Sequence, residues 1–181
     1  MREDHCLFQW KKICDDLGIK TFLMIGTALG FHRDGSYCKD DFDLDVGVKC
    51  TKQKVVELFN TLEENGFQRD TNWQNQGWEL NCHFYKYGIL LNIHYQFLKD
   101  EEPFFKKMDT VTYKGNKFNL PTPIDEYLLL NYGKDWKIPA PVRSRPLVGK
   151  RKEFNGGPEK STGFNWDGYL ASKKERYEGV I

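Results

Sequence analysis

The 181-residue chain lacks several things that would settle its class at once. No apolar run approaches the roughly 20 residues needed to cross a bilayer. The opening residues, Met1, Arg2, Glu3, Asp4 and His5, lack the apolar core of a signal peptide, so the chain as it stands reads as cytoplasmic and without a membrane anchor. Charge of one sign is also missing. Lys+Arg number 27 against Asp+Glu 26, so nothing in the net charge calls for nucleic acid. The cysteines are five, Cys6, Cys14, Cys38, Cys50 and Cys82, an odd number without a C-x-x-C pair, which argues against a disulfide framework and a structural zinc site and for reduced, partly buried thiols. There is no internal repeat. What is present is a globular composition, 39% hydrophobic, 15% aromatic and 29% charged, with enough length for one core.

Apolar positions Leu7, Trp10, Cys14 and Leu17 recur at helical spacing and predict an amphipathic helix over 4–17 that stops at Gly18. Thr21 to Ile25 reads as a first strand, Gly26-Thr27 as the turn out of it, and 27–31 as a short helix. From 42 to 48, Phe42, Leu44, Val46 and Val48 alternate with Asp41, Asp43, Asp45 and Gly47, the pattern of a strand with one apolar and one acidic face. A helix over 52–65 follows, then a polar loop over 67–78 holding Trp73 and Trp78. Strands over 79–85 and 89–97 should pair as a hairpin, with Asn92 and His94 on one face of the second. Lys114-Gly115-Asn116 predicts a turn between strands at 109–113 and 117–119, and Thr122-Pro123-Ile124-Asp125 predicts a helix capped by Thr122 and stopped at Gly133. The domain is therefore expected over 1–139, with 140–181 a basic, Pro- and Gly-containing arm packed on it and a short helix near 166–176.

The chemistry concentrates between Thr21 and Val48. Residues two apart on a strand share a face, roughly 6.5 to 7 Å apart at Cα, so Asp43 and Asp45 can converge on a divalent cation. Elsewhere a D-x-D-x-D reads as a solvated acidic face or a calcium-like loop. Here the intervening Phe42, Leu44 and Val46 are apolar, so the acids belong to a packed strand, where their repulsion is costly without a cation. Magnesium or manganese, held by carboxylates together with substrate phosphates, suits such a set. A glycine at the strand end lets backbone approach phosphate, and the N–H groups and the Thr27 hydroxyl beyond it can donate. Gly30 keeps that approach open, and Arg33 offers a phosphate clamp.

The order h-G-[ST], a short spacer, then D-h-D-h resembles the nucleotidyltransferase-fold (polymerase beta-like) superfamily, and G-T-x-L-G-x-x-R followed by D-x-D-x-D is similar to its LicD and fukutin branch. The likeness extends through most of residues 15–140. Leu90-Leu91-Asn92-Ile93 followed by NLPTPIDEYLLLNYGKDWKIP resembles the closing segment of the fukutin type. The resemblance implies an α/β fold, a small mixed sheet with packed helices. It also implies a magnesium-dependent phosphotransferase that moves a phosphate-linked group, such as ribitol phosphate or phosphocholine, from a CDP-linked donor to a carbohydrate hydroxyl. Gly26 and Thr27 then take phosphate, Asp43 and Asp45 the metal with Asp41 completing the acidic pattern, and Arg33 lies beside them. A longer protein of that type would belong to the secretory pathway.

One position departs from the family. Its third acid falls where this chain has Asn92, and an amide can ligate a cation but cannot act as a general base near neutral pH. His94 or Asp41 can substitute. Alternatively, the chain is a nucleotide- or glycan-binding module that has lost turnover, or a nucleotidyltransferase moving NMP from NTP. Trp73, Trp78, Tyr132 and Trp136 can stack on a base or sugar, or form core and rim.

Overall fold

The computed structural model describes residues 1–39, 41, 43–70, 81–95 and 102–139. It is a mixed α/β structure in which the chain divides into two compact units, Met1–Leu128 and Leu129–Ile181. The expected features at Phe42, Trp73, Trp78, Phe97, the arm over 140–181 and its helix near 166–176 lie outside the described residues.

Helix α1 (Arg2–Asp16) ends before Gly18, whose φ of +64° releases the chain toward strand β1 (Lys20–Leu23). Helix α2 (Ile25–Arg33) begins two residues earlier than the sequence predicts, because Ile25 itself turns the chain with φ +45°. Strand β2 (Asp43–Lys49) leads to α3 (Lys52–Glu64), where the Thr51 hydroxyl caps the first turn by accepting from the Lys54 N–H at 3.3 Å. The segment predicted as a loop from 67 onward contains a two-residue strand, β3 (Gln68–Arg69), too short to show any periodicity in the sequence. β4 (Asn81–Lys86) and β5 (Ile89–His94) form the predicted hairpin, with Tyr87 and Gly88 both at positive φ, the signature of a two-residue type I′ turn. After a 3₁₀ turn (Glu102–Phe105) comes a second hairpin, β6 (Met108–Tyr113) and β7 (Asn116–Pro121), turned the same way at Lys114 and Gly115. Helix α4 (Ile124–Tyr132) is the last element among the described residues and stops at Gly133, φ +77°. The Thr122 hydroxyl, read as a helix cap, accepts from the Asp109 N–H at 2.6 Å and so ties the two ends of the β6–β7 hairpin.

The main sheet runs β1-β2-β5-β4-β3. β2 is antiparallel to β1 and parallel to β5, while β4 is antiparallel to both β5 and β3. One face carries Leu44, Val46, Val48, Cys82, Phe84, Leu91 and Ile93, all buried beneath helices. Phe59 of α3 meets Phe84 and Tyr95 there at ring separations of 5.3 and 5.6 Å, and the Arg69 guanidinium lies 4.9 Å over the Phe59 ring. α1 packs beside α3 with Cys6, Leu7, Trp10 and Cys14 fully buried. The other face carries Asp43, Asp45 and Gly47 on β2 and Leu90, Asn92 and His94 on β5. α2 lies over it, and the β6–β7 hairpin abuts β1, where Asn119 Nδ2 donates to the Thr21 carbonyl at 2.6 Å.

None of the five cysteines is joined in a disulfide. Burial pushes the Cys6 thiol up to about 12, so it is a packing group. In the second unit the described residues form the last turn of α4 and a turn over 134–138, in which the Trp136 N–H donates to the Gly133 carbonyl at 3.2 Å. Among the described residues no helix is long and apolar enough to cross a membrane.

Candidate functional site

Two strands and one helix end build the site. β1 ends at Leu23, and the Met24 N–H donates to the Asp45 carbonyl at 2.9 Å, fastening the entry to α2 onto β2. The Asp45 N–H in turn donates to Thr27 Oγ1 at 2.8 Å. Both side chains are buried, Thr27 3% and Asp45 6% exposed, so these bonds form away from competing water. The Asp45 carboxylate then divides its oxygens. Oδ2 accepts from the Gly26 N–H at 3.2 Å, and Oδ1 accepts from Asn92 Nδ2 at 3.0 Å. His94 Nε2 lies 3.7 Å from the same Oδ1. The parallel register, Asp45 against Asn92 and Gly47 against His94, is what brings these β5 side chains to β2.

Gly26 is where two carboxylates meet. A Cβ there would fall 2.7 Å from Asp41 Oδ2 and 3.4 Å from Asp45 Oδ2, so the bare α-carbon leaves the room that Asp41 Oδ2 occupies, with Asp45 Oδ2 beside it. A negative carboxylate at the amino end of a helix is favoured by the unpaired N–H groups and the helix dipole. Asp43, half-buried, lines a cavity of about 250 Å³ together with Asp41, Thr27, Ser36, Tyr37 and Cys38. Two carboxylates thus converge on Gly26 and a third borders the same space. Among the described residues no group of three or more His, Cys, Asp or Glu stands close enough to hold a metal ion as the side chains lie. Two buried atoms on this face have no hydrogen-bond partner, Asn92 Oδ1 and His94 Nε2. Such atoms are uncommon in a packed interior.

The remaining predicted residues fall around this centre. Gly30 faces protein: a Cβ there would meet the Ser36 carbonyl oxygen at 2.5 Å and the Cys38 nitrogen at 2.6 Å. Its absence lets the 36–38 backbone lie on α2, which carries Cys38 to within 3.5 Å of the Gly26 carbonyl and aims the chain toward Asp41. Arg33, mostly buried, forms a two-bond fork to Asp34 at 2.8 and 2.6 Å and reaches Cys38 Sγ at 3.8 Å, one residue removed from Gly26. The cavity wall at Tyr37 is fixed from outside the motif. Its hydroxyl donates to Asp4 at 3.1 Å, and Lys114 Nζ donates to the same carboxylate at 2.7 Å. Burial, then the Asp4 carboxylate, push the Tyr37 phenol up, so it stays a neutral hydroxyl.

Three participants have no signal in the sequence. Cys38 sits in a glycine- and serine-flanked turn with nothing to distinguish it. Ile25 reads as the end of a strand, yet its backbone is left-handed. Tyr127 lies 102 residues away, and its hydroxyl accepts the Ile25 N–H at 3.2 Å. No protein-family model matches the chain, and no curated protein matches it either.

Proposed function

We propose that this chain is a divalent-metal-dependent phosphotransferase of nucleotidyltransferase-like fold, of the LicD and fukutin kind, moving a phosphate-linked polyol or choline from a CDP-linked donor to a carbohydrate hydroxyl. The observation that carries the reading is the meeting of the Asp41 and Asp45 carboxylates over Gly26 at the amino end of α2, with Asn92 and His94 brought to Asp45 by the parallel β2–β5 pair. The sheet order supports it, since an antiparallel β1–β2 pair beside a parallel β5 puts a glycine turn, two acids and a third polar side chain on one face.

The residues fit a hard cation. Asp41, Asp43 and Asp45 offer carboxylate oxygens, and the buried, unpartnered Asn92 Oδ1 is a further oxygen donor of the kind magnesium or manganese accepts. Asp41, Asp43 and Asp45 would hold the ion. When bound, it supplies neutralisation of charge on the phosphoryl oxygens. The chain's own groups do the rest. The Thr27 hydroxyl, bonded through its oxygen to the Asp45 N–H, keeps its proton to donate to a phosphate oxygen in the cavity. Arg33 stands next to this turn as a fixed positive charge. His94, whose Nε2 lies 3.7 Å from Asp45 Oδ1, would accept the proton of the attacking hydroxyl; the new P–O bond forms to the acceptor oxygen and CMP leaves. Asn92 has no basic atom for that task.

A second reading, a nucleotide- or glycan-binding module without turnover, is favoured by Asn92, whose amide donates into Asp45 where the related family has an acid. Calorimetric titration with CTP, CDP-ribitol, CDP-glycerol, CDP-choline, ATP and UTP, each with and without magnesium, separates the readings when followed by product analysis. Magnesium-dependent binding of a cytidine diphosphate that Asp45→Ala abolishes is expected. Binding that survives Asp45→Ala unchanged removes the metal site, and CDP donors that bind but are never transferred leave the binding module. Nucleotide covalently attached to the acceptor would instead mean NMP transfer.

A further inference from the structure

The turn that presents Gly26 is strained. Ile25 has φ +45°, a backbone conformation that a β-branched residue rarely adopts and that persists only where its surroundings impose it. Its N–H donates to the Tyr127 hydroxyl at 3.2 Å. That hydroxyl is itself held in place. Tyr127 is fully buried, with the rings of Phe104 and Phe105 set edge-on at 5.6 and 5.9 Å. Phe105 stacks on Phe22 at 4.6 Å, and Phe22 fills the space over Gly47, where a Cβ would stand 2.1 Å from its ring. A continuous set of rings therefore runs from β2 to the Tyr127 hydroxyl that accepts the Ile25 N–H. The next N–H along the chain, that of Gly26, is the one aimed at Asp45 Oδ2, and its direction follows from the Ile25 dihedrals.

We propose that Tyr127 is a positioning residue for the site: its hydroxyl holds Ile25 in the left-handed conformation and thereby aims the Gly26 N–H and Thr27 at Asp45. What the turn then binds rests on the phosphotransferase reading, but the positioning itself does not. A merely structural tyrosine, filling space in the core, would be indifferent to the residue at 25. A positioning tyrosine is not, because glycine adopts φ +45° without strain and removes the need for a grip.

The experiment uses the full chain as wild type, Tyr127→Phe, Ile25→Gly and the double variant. Amide hydrogen exchange across 24–28 is read without ligand, and Mn²⁺ and CDP affinities are read by calorimetry. Tyr127→Phe keeps the ring and its packing, so a cooperative urea transition is expected, with exchange at 25–27 faster and Mn²⁺ affinity weaker by roughly five- to tenfold, the scale of one lost hydrogen bond. Ile25→Gly deletes a buried side chain and so sets its own baseline; adding Tyr127→Phe to it is expected to cost no more than about a further twofold. Unchanged exchange and affinity in Tyr127→Phe, or the same five- to tenfold loss in the Ile25→Gly background, overturns the proposal. Should Tyr127→Phe not fold alone, the double variant is compared with Ile25→Gly, and a tenfold gap between them overturns it equally. If wild type binds neither Mn²⁺ nor CDP while exchange follows the expected pattern, the phosphotransferase reading falls and the positioning role stands.

Discussion

Replacing Gly26 by alanine separates the site from the fold. The added methyl would fall 2.7 Å from Asp41 Oδ2 and 3.4 Å from Asp45 Oδ2. The second distance is ordinary contact; the first requires Asp41 to retreat by roughly 0.7 Å or more. Asp41 is half-buried and outside β2, and the clashing atom is the far end of its side chain, so the retreat is inexpensive for the fold. Gly26 has no left-handed φ and lies in the first turn of α2, where alanine gains about 0.5–1 kcal/mol of helix preference. Stability should therefore change by less than about 1 kcal/mol in either direction. The displaced carboxylate is one of the two that meet at this point. Divalent-cation affinity should drop on the order of tenfold or more, the scale seen when a group that orients a metal ligand is lost. Urea unfolding in chelator and calorimetric titration with Mn²⁺ measure the two quantities on one preparation. A loss of more than about 2 kcal/mol would mean that Asp41 is pinned and the space at Gly26 is structural. Full Mn²⁺ affinity in a stable Gly26→Ala protein would refute the carboxylate convergence as a cation site.

Two further outcomes test the surroundings. Gly47→Ala places a Cβ 2.1 Å from Cε2 of Phe22 and 2.8 Å from the Met24 sulfur, with Phe22 backed by Phe105, so urea denaturation should show a loss of about 1–3 kcal/mol or more, partly recovered by Phe22→Leu; a neutral Gly47→Ala would show that the ring moves freely. Burial alone would raise the Asp4 carboxyl, but hydrogen bonds from Lys114, the Met1 ammonium and Tyr37 outweigh it and hold it below its ordinary value of 3.8. The unfolded chain then takes up the proton first as pH falls. The stability advantage of wild type over Asp4→Asn should accordingly be complete above about pH 5 and fade as pH drops through 3.8 toward the lower folded value, less so in Lys114→Met. An advantage that grows on acidification contradicts the assignment.

How far the residues could be read in advance follows from the range of the forces involved. The α1, α3 and hairpin assignments rest on periodicity and on turn residues, Gly18, Asn65-Gly66, Lys114-Gly115, whose conformational needs are local, and they are found within a few residues of their predicted ends. The same holds for the acidic face of β2, because alternation over seven residues has one meaning on a packed strand. Nothing in Met24-Ile25-Gly26 announces a left-handed isoleucine, so the sequence predicts the start of α2 two residues late. The sequence suggests that Gly30 keeps room for a phosphate, yet that room holds the 36–38 backbone, a neighbour set by how the loop folds back.

By itself, then, the sequence determined most of the helices and strands and the face on which Asp43 and Asp45 lie, since each depends on residues a few positions apart. Only the tertiary structure decided which groups share that face at close range. The parallel pairing of β2 with β5 put Asn92 and His94 on Asp45 across more than 40 residues, the bare α-carbon of Gly26 gathered Asp41, and Tyr127 reached back 102 residues to hold Ile25. Pairing partners and close approaches of this kind are chosen by burial of the whole sheet face and by the space that missing side chains leave.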